Sequence, residues 1–422
     1  MDYKEALEYI NGTQWFGSRP GLARVGALLE KLGRPQDGMK FIHVAGTNGK
    51  GSCSAMLASV LKAAGYKTGL FTSPYLSRFN ERMRINGKEI GDEALAAIVS
   101  RVAPAAESMD EHPTEFELMT AAALLWYAEE KCDIVVLEVG LGGRFDATNI
   151  IEAPEAAVIM NIGLDHTAVL GGTVEQIAFE KAGIIKSGCD CVLYEQPENV
   201  TAVVRAQCEK MGARLHIADF SAIESEFDSL DGQVFSYPGD AYAIPLLGAH
   251  QLKNAAVVIE TVKVLRERGW KLAQEDVEHG LYAVSWPARF EVVADEPFFV
   301  VDGGHNPQCA QTVADNLKSY FPGTRRVLLM GVLADKDYMT MTDILNEAAD
   351  EYVCVTPDSP RALPAAKLGE CLARFGKQVS VADSIRDGVG MAIDAAAGGG
   401  IPWLVNLERV KRLDSVRSFC GI

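Results

Sequence analysis

The 422-residue sequence has no run of about 18 apolar residues, so no membrane-spanning helix is expected. Its first residues, Met1-Asp2-Tyr3-Lys4-Glu5, lack the apolar core of a secretory signal, and the cytoplasm is the expected compartment. Positive charge is scarce: 40 Lys and Arg stand against 57 Asp and Glu, a formal net charge of −17. Nucleic acid is not expected as a partner, because binding it requires a basic surface that displaces counterions. Small anionic substrates remain open, since a few local cations can hold them. The nine cysteines lack metal-site spacing. Only Cys189 and Cys191 are close, and no second pair completes a zinc site. Reduced, buried thiols are the expectation. Internal repeats are also missing, and Gly398-Gly399-Gly400 reads as a short turn.

What is present is the composition of an ordinary globular protein, 48% hydrophobic and 23% charged. The length exceeds one ordinary core, so two domains are expected. Apolar runs alternate with helical patterns. Strands are expected at Phe41 to Ala45, Thr68 to Thr72, Asp133 to Val139, Ala156 to Ile162 and Cys191 to Tyr194. Helices are expected from Cys53 to Ala64, Thr120 to Glu129 and Leu252 to Arg268. The alternation predicts an α/β fold with a mostly parallel sheet covered on both faces. After the turn-rich Ser285-Trp286-Pro287-Ala288-Arg289 the pattern restarts. Strands follow at Phe298 to Asp302, Arg326 to Met330, Glu351 to Val355 and Trp403 to Val405, with a helix from Cys309 to Ser319. This predicts a larger domain over residues 1–293 and a smaller Rossmann-like α/β domain over 294–422.

The first strand runs into Gly46-Thr47-Asn48-Gly49-Lys50-Gly51-Ser52 and then a helix. Glycines let backbone N–H groups curl inward, the helix N-terminus adds positive potential, and Lys50 supplies a point charge for phosphates. Ser52 can ligate magnesium or cap the helix. The loop departs from the usual phosphate-loop spacing: it is shorter before Gly49-Lys50 and carries an extra Gly51. The alternative is a glycine-rich turn with an exposed lysine.

Val135-Val136-Leu137-Glu138 is an apolar strand ending in an acid, placed where parallel sheets bind nucleotides. Magnesium ligation is its expected task. Gly140-Leu141-Gly142-Gly143-Arg144 lets backbone approach a substrate, Arg144 offers charge to an anion, and Asp146 and Asn149 offer hydrogen bonds to a polar ring. Asn161 to His166 delivers a histidine from another strand end, and Ser73 follows a third. Magnesium prefers oxygen and water, so His166 is the least typical ligand of the set. Lys181 lies in an apolar helical stretch. Burial lowers a lysine's pKa, and a neutral amine can take up carbon dioxide as a carbamate. The plainer reading is a snorkelling side chain.

Together these segments resemble the folylpolyglutamate synthase and dihydrofolate synthase family of the Mur ligase superfamily. The resemblance rests on Phe16 to Leu22, Gly46 to Ser52, Ser73-Pro74 with Asn80-Glu81-Arg82, and Thr114 to Glu117. It continues through Glu138 to Asn149, Asp165-His166-Thr167, Glu180 to Lys186, Pro287 to Glu291 and Asp302 to Pro307. It implies ATP held by Thr47, Asn48, Gly49, Lys50, Gly51 and Ser52. His250, Gln251 and Asn254 would lie on the adenine side, and Arg289 and Asp302 would reach ATP from the linker and second domain. It implies two magnesium ions on Ser73, Glu138 and His166, and a carbamylated Lys181. His305 would act catalytically, with Asn306, on the glutamate and phosphate side. The pterin would meet Arg19, Pro20, Gly21, Leu22, Arg82, Phe116, Glu117, Phe145, Asp146 and Ala147. The implied substrates are ATP, L-glutamate and a reduced folate or dihydropteroate, handled by a monomer through an acyl phosphate. Three positions depart from the family pattern: Tyr75 where His is frequent, Gly172 where an acid is common, and Leu404-Val405 running into Asn406-Leu407 rather than a Gly-Ser pair.

Two rivals frame the expectation. A cell-wall Mur ligase would need a sugar-nucleotide domain before the phosphate loop. A nucleotide-binding regulator would have no use for Glu138, His166 and Lys181 together.

Overall fold

The computed structural model describes residues 1–13, 21–295, 298–397 and 400–405. Eight strands form the first sheet: β1 (Phe41–Ala45), β2 (Thr68–Phe71), β3 (Met83–Ile85), β4 (Lys88–Glu89), β5 (Ile134–Glu138), β6 (Ala156–Ile159), β7 (Asp190–Leu193) and β8 (Leu215–Ile217). Their order is β4-β3-β2-β5-β1-β6-β7-β8. All neighbours pair in parallel except β2 with β3 and β3 with β4.

The central strands are apolar throughout because both faces are covered. Alternate residues of β1 point to opposite cores. Ile42 and Val44 join one cluster with Val136, Val158 and Ala255, while Phe41 joins another with Phe71, Leu137 and Tyr127. Helices Lys50–Ala63 and Ala249–Glu267 cover the first face, and Glu115–Glu129 covers the second. The helix Glu115–Glu129 starts five residues ahead of the expected Thr120, because Thr114 and Glu117 close a reciprocal capping box.

Between Tyr194 and Leu252, where most of the chain carried no expected element, three antiparallel strands appear: β9 (Glu224–Ser229), β10 (Gly232–Tyr237) and β11 (Asp240–Ile244). A Pro238-Gly239 turn joins β10 to β11, with Gly239 at φ +97°. The apolar side of this sheet, Phe235, Tyr237, Tyr242 and Ile244, extends the first core.

The second sheet contains β12 (Glu291–Asp295), β13 (Phe298–Asp302), β14 (Arg326–Met330), β15 (Glu351–Cys354), β16 (Gln378–Val381) and β17 (Ile401–Val405). Its order is β12-β13-β17-β14-β15-β16, parallel apart from β12 with β13. Because β12 pairs with β13, the expected division after residue 293 cuts a strand of the second sheet. Asn406-Leu407, expected to mark an unusual last-strand loop, lies outside the described residues, as do Arg19 and Pro20.

Candidate active site

The loops leaving the carboxyl ends of β1, β2, β5 and β6 belong to adjacent or next-adjacent strands, so they open on one edge of the sheet. Glycine shapes the first. Gly49, at φ +83°, caps the helix Lys50–Ala63, and a methyl group there would sit 2.7 Å from Asn254 Oδ1. The helix therefore begins at Lys50, three residues before the expected Cys53, and directs its free N–H groups into the loop. Lys50 Nζ donates to the carbonyls of Gly46 (3.1 Å) and Thr47 (3.3 Å). Thr47 and Asn48 N–H groups reach Asn161 O at 2.7 and 3.3 Å, tying the loop to the exit of β6.

Lys181 Nζ meets the same Gly46 carbonyl at 2.8 Å while only 4% exposed. Burial, aided by the charge of Lys50, lowers its pKa to about 7. Glu138 is 4% exposed at the end of β5, and its Oε2 accepts the Ser73 N–H at 3.1 Å. Burial raises the Glu138 pKa against the opposing pull of Lys50, the Ser73 N–H, Arg289 and Arg82. The Ser73 backbone and the Glu138 carboxylate thus meet where the neighbouring strands β2 and β5 end. His166 adopts a left-handed backbone at φ +50° and leans on Asp165, with Nε2 3.9 Å from Oδ1. Among the described residues no three His, Cys, Asp or Glu side chains gather as a metal cage. The donor set therefore suits an ion that arrives with phosphate and water oxygens of its own.

Ser52 is buried and linked through Gln251 Nε2 (3.4 Å) to Asn254, whose Nδ2 donates to Gln251 Oε1 at 2.9 Å. From the second domain, Asp302 accepts the N–H groups of Phe290 (2.9 Å) and Gly304 (2.7 Å). Burial raises its pKa, while the neighbouring Arg289 pulls the other way. His305 approaches Asp165, with Nε2 3.8 Å from Oδ2, and Asn306 Nδ2 reaches Asn48 Oδ1 at 2.8 Å.

The expected pterin segments divide. Phe116 lies against Gly140, where a methyl group would come within 2.4 Å of the ring, so only glycine fits. Phe145 is 53% exposed. Arg82 is buried with its guanidinium 4.9 Å from the Tyr75 ring, giving the unusual Tyr75 a partner. Gly21 and Leu22 lead into the helix Ala23–Lys31. Glu117 and Asp146 are committed inward. Glu117 is gripped by Arg24 at two positions, each 3.1 Å. Asp146 accepts from Leu141 N (2.9 Å) and Thr148 N (2.9 Å) and from the Thr148 hydroxyl, holding the loop that carries Ala147. Asn149 likewise bonds the carbonyls of Arg144 and Gly183, both at 3.1 Å, and Arg144 stacks on Phe179.

Four residues with no site role in the sequence reading join the site: Asp165, Lys336, Gln308 and Trp286. Asp165 binds Lys336 Nζ at 3.2 Å. Burial raises its pKa, but Lys336, His166 and His305 outweigh that and hold it at about 2. Lys336 follows the strand β14 in an Asp-Lys-Asp run, a cluster of charge at a strand end that was a readable signal. Gln308 and Trp286 carried none.

Residues 44–262 match the Mur ligase middle domain, and residues 288–403 match the Mur ligase glutamate ligase domain. The Bacillus subtilis dihydrofolate synthase/folylpolyglutamate synthase is 39% identical over 378 residues, 87% of this chain and 88% of that protein. The chain belongs to the folylpolyglutamate synthase/dihydrofolate synthase family of Mur ligases. The Lacticaseibacillus casei folylpolyglutamate synthase is 37% identical over 92% of this chain and 94% of its own length. A solved Mycobacterium tuberculosis folylpolyglutamate synthase complexed with ADP matches with a TM-score of 0.90 and 31% identity, covering 100% of this chain and 98% of that one. Both sheets of the fold are thus those of the Mur ligase family, and the second domain is as much part of the likeness as the phosphate loop.

Proposed function

We propose that the protein ligates L-glutamate to a reduced folate, and also to dihydropteroate, using ATP. The observation that carries this reading is the meeting of Lys50 and Lys181 on the Gly46 carbonyl, with second-domain Asn306 bonded to the same loop. A carboxylate is a poor acyl donor because oxide leaves badly. Transfer of the γ-phosphoryl group to the carboxylate oxygen makes an acyl phosphate and releases ADP. The glutamate amine then attacks the carbonyl carbon, its proton is lost, and phosphate departs with the bonding pair. Lys50, released from the loop carbonyls, stabilises charge on the transferred group, and Arg289 does so from the linker. Phe116, Phe145, Ala147, Gly21 and Leu22 line the folate side, with Arg82 nearby. Glu117 and Asp146 act there by holding the shape of their loops.

Glu138 keeps Oε1 free of hydrogen bonds among the described residues, which suits a cation beside Ser73 and His166. Magnesium, when bound there, would neutralise charge between the β- and γ-phosphates. The neutral amine favoured at Lys181 suits addition to carbon dioxide, giving a carbamate and one proton. We place the domain division just before Ala288 and the enzyme in the cytoplasm as a monomer. The eight cysteines among the described residues are free thiols, which suits a reducing compartment.

Mass spectrometry of products from ATP, magnesium and glutamate with either dihydropteroate or tetrahydrofolate tests the reading. Glutamylated product is expected from both. Lys50→Ala should lower turnover by about a hundredfold or more without shifting the melting temperature. Normal ligation by that variant would overturn the assignment.

A further inference from the structure

Asn48 stands inside the phosphate loop, yet among the described residues every side-chain hydrogen bond it makes runs to the second domain. Its Nδ2 donates to Gln308 Oε1 at 2.8 Å, and its Oδ1 accepts from Asn306 Nδ2 (2.8 Å) and the Cys309 thiol (3.2 Å). Gln308 occupies the first turn of the helix Pro307–Tyr320, so its side chain rides on the rigid body of the second domain. The same side-chain amide lies against Gly163. A methyl group on Gly163 would fall 2.1 Å from Gln308 Oε1 and 2.4 Å from Cδ. Gly163 is tied back to the loop through the Thr47 hydroxyl, 3.1 Å from both its N–H and its carbonyl.

These contacts make a closed ring: Asn48, Gln308, Gly163, Thr47. It joins the phosphate loop, the exit of β6 and the second domain at one point. Gln308 carries no charge and is not among the groups assigned to phosphate transfer. Its amide is spent on registry between domains.

We infer that Gln308 is a positioning residue, a latch that ties docking of the second domain to the phosphate loop so that the acyl phosphate forms only in a site closed to water. The inference rests on the ligase reading above. Closing a site excludes water from a reactive intermediate, and a loose latch admits it. Water attacking the acyl phosphate regenerates the carboxylate and releases inorganic phosphate, so ADP accumulates without amide.

The test measures ADP and amide in the same reaction, with full-length protein, ATP, tetrahydrofolate and glutamate. Wild type should yield one amide per ADP, which checks the ligase reading independently. Gln308→Met keeps length and removes the accepting oxygen. Amide per ADP should fall about tenfold, the worth of roughly one hydrogen bond, with KM for ATP unchanged. Gln308→Glu keeps an accepting oxygen and should restore coupling. Gly163→Ala displaces the Gln308 side chain and should copy the loss, and the double variant Gly163→Ala/Gln308→Met should be no worse than the poorer single. Wild-type coupling and turnover in Gln308→Met would overturn the latch and leave the ligase reading standing. Absence of amide from wild type would instead remove the reading beneath it.

Discussion

Lys181 sits beside Ala178, Ala182 and Ile184, all with no exposure, so an ammonium there has lost its water. Its folded pKa of about 7 lies below the ordinary 10.5. An unfolded chain holds the proton up to the higher value. Between the two, the unfolded state binds more protons, so stability from this group rises with pH and is at its lowest below about 7. Lys181→Met should therefore raise the melting temperature more at pH 6 than at pH 9. The same neutral amine gives the functional prediction. Lys181→Ala should lose about a hundredfold in activity and regain part of it with acetate, which can stand in for a carbamate. Bicarbonate should stimulate carbon-dioxide-depleted wild type more at pH 8 than at pH 6. Full activity without rescue would reduce Lys181 to a structural lysine. The residues around Lys181 favoured a plain snorkelling side chain, and only the family resemblance singled it out, because burial against the Gly46 carbonyl is set by the folded loop and not by local pattern. Glu117 and Asp146 were no more legible: their partners, Arg24 and Thr148, explain them only once the loops are folded.

At the scale of elements, strands with unbroken apolar runs were readable because burial on both faces leaves no alternative composition. Helix starts were missed by several residues, since capping groups rather than apolar spacing set them. Strand β9 escaped because its side chains are nearly all exposed and carry no periodic apolar signal. The oddly placed Gly51 of the phosphate loop has its reason at this scale too. A methyl group at Gly51 would stand 2.8 Å from Trp286 Nε1 and 3.2 Å from two carbons of that ring. Arg84 lies over the same indole at 5.4 Å. The linker between domains is thus laid directly on the first turn of the phosphate-loop helix, two residues before Ala288 and three before Arg289. Gly51→Ala should push Trp286 away and raise KM for ATP about tenfold, as overpacking of this kind costs one to three kcal/mol at about 1.4 kcal/mol per decade. Trp286→Leu in that background should recover part of the loss. Steady-state kinetics decides it, and an unchanged KM in Gly51→Ala would disconnect linker from loop.

The arrangement of the whole molecule was the least legible, because the ties between domains join residues far apart in the chain and carry no local pattern. Lys336 reaches Asp165, Gln308 reaches Asn48, and Tyr320 makes a third tie on another side. The Tyr320 hydroxyl donates to Asp228 Oδ1 at 2.5 Å and accepts the Gly248 N–H at 2.9 Å. Gly248 opens the helix Ala249–Glu267, which carries Gln251 and Asn254 toward Ser52. Tyr320 therefore ties the start of the helix Ala249–Glu267 to the second domain. Tyr320→Phe leaves the buried Gly248 N–H without its acceptor and should cost about 1–2 kcal/mol in denaturant unfolding. Asp228→Ala added to that variant should cost little more, since both act through one hydroxyl. KM for ATP should rise modestly alongside, because the helix start is loosened at the residue before Ala249. Stability and KM both at wild-type values would show that Tyr320 is no working tie between the domains and that the helix needs no anchor at its start.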